Sequence, residues 1–346
     1  MMKRLLAALT LLALPVLASA QSDHDTTLLA PDGTLYSIEA VFDNGSEPSM
    51  ASSEYLLLTT QVDGVSKTVK VPGSLTGGAH SSPALAYDAD SSTLFILWEE
   101  ATNNRLSTSL LLSSYQAGRF GPTNEIDAAN FRLRHNLRIG VTRKTVDYET
   151  ADHSYTNELN VHAIWWEETG SGEWARYAML TVEKGSVTSI QVHDASDFIN
   201  DSSLLPYPTD SDFNTNILRY PQVFESPTHD SVDLVFGELQ TNAFRRLTVQ
   251  AIAKRDPSTN LRIRIPVGVR GSRFPAPANK GAAMSNVAGA VSSDRDHLAF
   301  YAVSQNAVNY TMYRNGTWSA VRAITLNGKL SADTAINALR RLLASE

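Results

Sequence analysis

Apolar residues in this chain come in short unbroken runs that stop at carboxylates. Leu94 to Trp98 reads Leu-Phe-Ile-Leu-Trp and ends at Glu99-Glu100. With no polar residue on either parity, both faces of such a strand are apolar, as in a strand buried between two packed sheets. The shape returns as Leu159 to Glu168 with Trp165 and Trp166, as Val232 to Glu238, as His297 to Val303 and, most weakly, as Leu35 to Asp43. With Phe42, Trp98, Trp166, Phe236 and Tyr301 as equivalent anchors, the interval is about 55–70 residues, the mark of repeat architecture.

Each repeat resolves into four strands. In the second, Pro83 to Tyr87, Leu94 to Trp98 and Arg105 to Ser113 are strands, and the turn Ala117-Gly118-Arg119-Phe120 leads to a short fourth strand ending near Ile126. The first repeat turns at Pro31-Asp32-Gly33 and Asp63-Gly64; the third has a long polar turn from Asp147 to Asn157; the fourth turns at Ser226 to Asp230 and the fifth at Ser292 to Asp296. The pattern predicts an all-β fold, a β-propeller of five four-stranded blades over residues 26–326. The segment from Ser196 to Arg219 is either an insertion or a remnant of another strand pair. Beyond it, residues 331–346 read as a C-terminal amphipathic α-helix, with Ser331 as N-cap, Asp333 in the first turn, and Ile336, Leu339 and Leu343 on one face. This helix is expected to dock on the propeller; with Arg340 and Arg341 adjacent, a membrane-surface or partner-binding role is the alternative.

Residues 1–20 carry Lys3 and Arg4, an apolar run from Leu5 to Leu17, and Ala18-Ser19-Ala20 before Gln21. This is the pattern of a cleaved secretory signal peptide, too short to span a bilayer, so the mature chain is expected to be secreted or periplasmic with no transmembrane segment. The 346 residues are 42% hydrophobic and 19% charged, enough for a large core. No cysteine is present, which excludes disulfides, thiolate metal sites and cysteine nucleophiles. A net charge of −7 argues against nucleic acid as a partner.

The unit Ser82-Pro-Ala-Leu-Ala-Tyr-Asp, then Leu-Phe-Ile-Leu-Trp, then Arg105 and Gly118-Arg-Phe resembles the blade of sialidase-like propellers, the family with bacterial neuraminidase repeats. That family's Asp-box reads Ser-x-Asp-x-Gly-x-Thr-Trp, and only its tail stands here, as Asn315-Gly316-Thr317-Trp318. The resemblance covers Thr26 to Leu326 at the level of blade pattern. It implies the propeller fold; the family's arginine triad, Tyr-Glu nucleophile pair and Asp acid have no matching positions in this sequence.

Four-stranded blades send their second-to-third loops and blade connections to one end and their remaining turns to the other. Here the connections read as long: Gly73 to Ser82, Asp127 to Asn136, His193 to Arg219 and Gly268 to Asn286. Binding residues concentrate on such loops. That end would gather Arg132, Arg134, His135, Arg219, Tyr220, Arg270 and Arg273, suited to a carboxylate or sugar acid, or else spent on solvated loops and blade-to-blade ion pairs. Trp174, read as a loop residue, either stacks on a ligand or packs on a blade. Trp98, Trp165 and Trp166 read as core. At the ends of second strands stand Glu99, Glu100, Glu167, Glu168 and Glu238. Adjacent residues on a strand point to opposite faces, so a glycosidase pair must come from two blades, with Glu99, Glu168 and Glu238 as catalytic candidates; the alternative is that these glutamates cap strands or meet arginines.

Asp210, Asp212, Asn214 and Asn216 alternate like the start of a calcium loop, but Thr215 and Pro221 stand where the complete loop has Gly and Glu, so an Asx-turn-rich surface loop competes with a calcium site. No other cofactor is indicated. Three functional readings follow: a non-enzymatic secreted propeller binding a glycan or an extracellular or periplasmic protein; a sialidase-like glycoside hydrolase acting on acidic sugars; and a subunit of an envelope or surface assembly.

Overall fold

The computed structural model describes residues 26–43, 53–74, 80–101, 107–130, 133–169, 172–194, 218–226, 228–238, 243–275, 286–289, 298–304, 306–314 and 317–326, with Ala335 and Leu339. The fold is all-β. Five antiparallel meanders follow one another along the chain. The first holds β1 (Thr26–Leu29), β2 (Leu35–Asp43), β3 (Ser53–Val62) and β4 (Val65–Lys70). The second holds β5 (His80–Asp88), β6 (Thr93–Ala101), β7 (Ser107–Gln116), and on its outer side β8 (Arg119–Phe120) and β9 (Asn124–Asn130). The third holds β10 (Leu133–Asp147), β11 (Tyr155–Thr169), β12 (Gly172–Glu183) and β13 (Ser186–Asp194). The fourth holds β14 (Leu218–Glu225), β15 (Val232–Glu238), β16 (Ala243–Arg255) and β17 (Arg262–Pro275). The fifth holds β18 (Asn286–Gly289), β19 (Leu298–Ser304), β20 (Ala307–Arg314), β21 (Thr317–Trp318) and β22 (Arg322–Thr325).

Three of the third-to-fourth-strand turns share one device. Asp63-Gly64, Ala117-Gly118 and Lys184-Gly185 each place two consecutive residues at positive φ, 49° and 80°, 48° and 80°, and 51° and 79°. That is the two-residue hairpin whose twist matches the strands it joins, and glycine takes the second position without strain.

The core explains the unbroken apolar runs. On β6, Leu94, Ile96 and Trp98 pack toward the first meander against Ile38, Leu56 and Leu58. The intervening Phe95 and Leu97 pack the other way, against Leu137, Ile139, Val161 and Trp165 of the third. Next, Ile164, Trp166, Tyr177 and Met179 meet Val232, Leu234, Phe236 and Val249 of the fourth. Period-2 alternation thus sends successive residues into successive intersheet layers. Trp98, Trp165 and Trp166 are core residues, as expected. The first strands pack in chain order, β5 on β1, β10 on β5, β14 on β10 and β18 on β14.

Two features depart from five separate blades. The third and fourth meanders form one eight-stranded sheet, because the end of β10 runs parallel beside β16 (Thr145 opposite Ala251, Val146 opposite Ile252, Asp147 opposite Ala253). β15 pairs with β16 only as far as Val249, and β10 takes the vacated edge beyond it. The described strands also do not close into a ring. Of residues 331–346, Ala335 and Leu339 have helical backbone and are buried. The remainder of the expected helix lies outside the described residues.

Candidate functional site

At the end where the second-to-third loops emerge, the alternation that builds the core also builds an ionic cluster. Glu99 shares its parity with Phe95 and Leu97 and so faces the third meander, while Glu167 shares its parity with Trp165 and faces the second. Arg134, opposite Glu167 on β10, lies between them. Its side chain is fully buried. Nη2 meets Asp127 Oδ2 of β9 at 2.6 Å and Nη1 donates to Thr108 Oγ1 of β7 at 2.6 Å. Glu99 Oε1 lies 3.8 Å from Nη1, and Glu167 Oε2 lies 3.7 Å from Nε. Trp165 Nε1 donates to Glu167 Oε2 at 3.5 Å. One guanidinium therefore serves three carboxylates, two of them nearly dry. Next to the cluster, burial raises the Glu100 carboxyl above its ordinary value, against a lowering hydrogen bond from Trp98.

The other expected site residues fall as follows. His135 stands on β10 opposite Trp166. Trp174 lies on strand β12 rather than a loop, opposite Glu167, which places it in the same cross-strand row as Arg134. Glu168 is opposite Leu133 and Glu173. Arg219 and Tyr220 are on β14, with Arg219 opposite Gly237 and Glu238 opposite Leu218. Arg270 and Arg273 are on β17, opposite Thr248 and Arg245, because that strand continues to Pro275 where a loop was expected. β17 is three strand spacings from β14 within its meander, about 14 Å. The expected long connection from Asp127 to Asn136 is also mostly strand, since β9 ends at Asn130 and β10 begins at Leu133. Arg132 and the run Asp210, Asp212, Asn214 and Asn216 lie outside the described residues. The structure therefore brings together Glu99, Arg134 and Glu167. It adds Asp127 and Thr108, which sequence reasoning missed.

The opposite end carries a second set of charges. Asp88, the last residue of β5, pairs with both Nε and Nη2 of Arg143 on β10 and accepts from the Ser91 backbone N–H at 3.0 Å. Burial pushes the Asp88 carboxyl up, but the bonds from Arg143 and Ser91 with the Arg143 charge outweigh it and hold the group below its ordinary value. Glu158 of β11 takes Arg262 at 2.8 Å and Arg264 at 2.6 Å, and Arg264 also reaches Glu183 at 2.9 Å, tying the outer strand of the fourth meander to the third. Between those meanders, His162 is joined to Thr142 Oγ1 through Nε2 at 2.9 Å and to Tyr177 Oη through Nδ1 at 2.6 Å. Complete burial lowers the imidazole to about 3, so it is neutral at ordinary pH. Among the described residues, no group of three or more His, Cys, Asp and Glu side chains is arranged to hold a metal ion.

No protein family and no curated protein matches the sequence. Among solved structures, the chain is similar to the Hadza microbial sialidase Hz136, with 12% identity, a TM-score of 0.49, and coverage of 88% of this chain and 58% of that one. It is also similar to a puromycin-hydrolyzing peptidase of Mycobacterium tuberculosis, with 11% identity, a TM-score of 0.37, and coverage of 88% and 38%. The Dos1 propeller shows 11% identity, a TM-score of 0.33, and coverage of 89% and 76%. The chain thus spans 58% and 38% of the length of the first two. At such identities and TM-scores the likeness bears on neither substrate nor reaction.

Proposed function

We propose that this chain is a secreted β-propeller that binds a glycan or a protein partner, without catalysis, at the end where the second-to-third loops emerge. The observation that supports this best is the burial of Glu99 and Glu167 around Arg134. A glycosidase needs two carboxylates open to a sugar, roughly 5 Å apart for retention and wider for inversion. Glu99, the one catalytic candidate whose side chain is described, and its neighbour across the cluster Glu167 are 5% and 2% exposed and face a guanidinium that is itself out of water, while the side chains of the candidates Glu168 and Glu238 lie outside the described residues. Neither Glu99 and Glu167 nor Arg134 can reach a ligand without opening the layer between the second and third meanders.

Ligand contact then falls to residues nearer the strand ends, with Arg219 and Tyr220 at the start of β14, Arg273 at the end of β17 and Trp174 at the start of β12 as the first to substitute. Arg132, His135 and Arg270 come next, and Asp210, Asp212, Asn214 and Asn216 are the segment through which calcium would act.

The test is a panel of acidic and neutral glycans offered to the purified chain beginning at Gln21, with and without calcium. Retention of one glycan class with no product released supports the reading. Release of product overturns it in favour of a glycoside hydrolase. Neither retention nor release removes the glycan arm and leaves a protein partner.

A further inference from the structure

Charge is spread unevenly along this chain. From Leu239 to Ser293 stand nine Lys and Arg and a single acid, Asp256, although the protein as a whole carries −7. That excess builds the outer strands β16 and β17. At the end away from the second-to-third loops the third meander answers it: Arg255 meets Glu149 at 2.9 Å, Arg262 meets Asp147 and Glu158, and Arg264 meets Glu158 and Glu183.

The loop end divides by parity. Phe236 belongs to the layer shared with the third meander, so its row partners Arg245 and Arg273, directly opposite each other on β16 and β17, take that side. Glu238 shares it, and Glu168 and Glu173, directly opposite each other on β11 and β12, stand at the same end of the third meander.

The other side of the fourth meander belongs to the fifth, whose β18 packs on β14. Here Arg219, Gly237, Phe244 and Phe274 form one row across β14, β15, β16 and β17. Arg246 stands in the next row, and Arg270 in the one after it, with Thr248 and Asp233. Asp233, which accepts from Thr248, is the one acid on this side of the four strands. The described strands of the fifth meander, β18 to β22, hold no Asp or Glu. This layer therefore supplies three arginines to one aspartate, where the layer before it supplies carboxylates at both ends.

Arginine forks fit the paired oxygens of carboxylate and sulfate groups. Two phenylalanines directly opposite each other make an apolar platform for sugar rings, and Gly237 leaves their row open toward Arg219. Arg219 and Arg270 lie three strands apart, about 14 Å, which suits a chain of sugars rather than one ring.

We propose that this face takes an acidic glycan chain, with Phe244 and Phe274 as the platform for its sugar rings and Arg219 and Arg270 as the partners of successive carboxylate or sulfate groups. The assignment rests on the glycan arm of the binding reading and names its ligand class.

The test offers the purified chain beginning at Gln21 to polygalacturonate, to the same polymer fully methyl-esterified, which keeps the sugars and removes the charge, and to dextran sulfate beside dextran. Affinity electrophoresis should show retention by polygalacturonate or by dextran sulfate, and none by either neutral polymer. Arg219→Gln with Arg270→Gln should weaken it about tenfold or more. Lys67→Gln with Lys184→Gln makes the same charge change at two exposed positions of the first and third meanders and should leave it unchanged. Equal effects of the two double variants, or no retention by either acidic polymer, overturn the proposal. The unmutated protein decides should the arginine variant not fold: equal retention by the esterified polymer, or polyglutamate held as tightly as the acidic sugars, overturns it as well. Retention confined to a neutral glycan sinks this assignment and leaves the binding reading standing. Release of product sinks that reading and leaves the arginine effect on retention to judge the assignment.

Discussion

Arg134 and Asp127 meet across the join of the second and third meanders, Nη2 to Oδ2 at 2.6 Å, with the arginine side chain wholly withdrawn from water. The chain passes from β9 to β10 between them, so the pair clamps the point at which one meander hands over to the next. Removing one partner of a buried pair leaves the other charges uncompensated, and here three carboxylates would be left.

Arg134→Met is therefore expected to lower stability by about 3–5 kcal/mol, far beyond the ~0–1 kcal/mol of an exposed pair. Urea unfolding followed by tryptophan fluorescence measures it. Adding Glu99→Gln and Glu167→Gln to Arg134→Met should recover part of the loss, because less negative charge is then stranded. A single-variant loss below 1 kcal/mol would mean the cluster is solvated and would reopen Arg134 as a ligand contact.

Gly140 makes a steric prediction at the other seam. Its missing side chain admits Val223 and Glu225, and a methyl group would overlap Val223 Cγ1. Gly140→Ala should cost about 1–3 kcal/mol through overpacking. In the double variant with Val223→Ala the cost should be smaller than the sum of the two single changes. Thermal unfolding of all four proteins decides this, and strict additivity would show that the strands separate without strain.

The repeat pattern made the meanders legible because a strand covered on both sides must be apolar at both parities, and Leu94 to Trp98 shows this without ambiguity. Chain order and the glycine turns followed from the same logic. Register did not. The even spacing makes Trp98 and Trp166 equivalent anchors, yet Trp98 faces the preceding meander and Trp166 the following one, so Trp165 is the true counterpart. Parity of Glu99 with Leu97, and of Glu167 with Trp165, was the signal that could have found the cluster. The polar stretches of β9 and β10 read as loops because Asp127 and Arg134, spent on each other across neighbouring strands, leave no apolar alternation to count, and the stretch of β17 from Gly268 to Pro275 reads as a loop for its glycines and arginines. The merger through β10 and β16 involves three residues on each side and leaves no mark in composition.

The Asp88–Arg143 pair predicts acid sensitivity. The folded value of Asp88 lies below its ordinary one, so the pair stabilises above the unfolded aspartate range, and that stability is lost as pH falls through the lowered folded value. Asp88→Asn should be less stable than the unmutated protein at pH 7, and the gap should close at strongly acid pH. A gap independent of pH would mean the loss is one of shape rather than charge.

His162 and Glu225 should oppose each other within one pH window. The folded imidazole, at about 3 against an ordinary 6.5, stays neutral while the unfolded chain takes up a proton, so its contribution is complete above 6.5 and is lost as pH falls toward 3. Glu225 runs the other way. Its folded value of about 7 exceeds the ordinary 4.5, so its contribution is complete below 4.5 and is lost as pH rises through 7. Between 4.5 and 6.5 the two slopes largely cancel, and stability of the unmutated protein should vary little on their account. His162→Gln, which keeps polar contacts for Thr142 and Tyr177, removes one slope, so stability should fall as pH rises from 4.5 to 7. Glu225→Gln removes the other, and stability should climb from 4.5 to 6.5. Urea midpoints at half-unit steps from pH 4 to 8 separate these cases. Parallel curves for all three proteins would show that neither group is held away from its ordinary value, and that the seam between the third and fourth meanders is open to water.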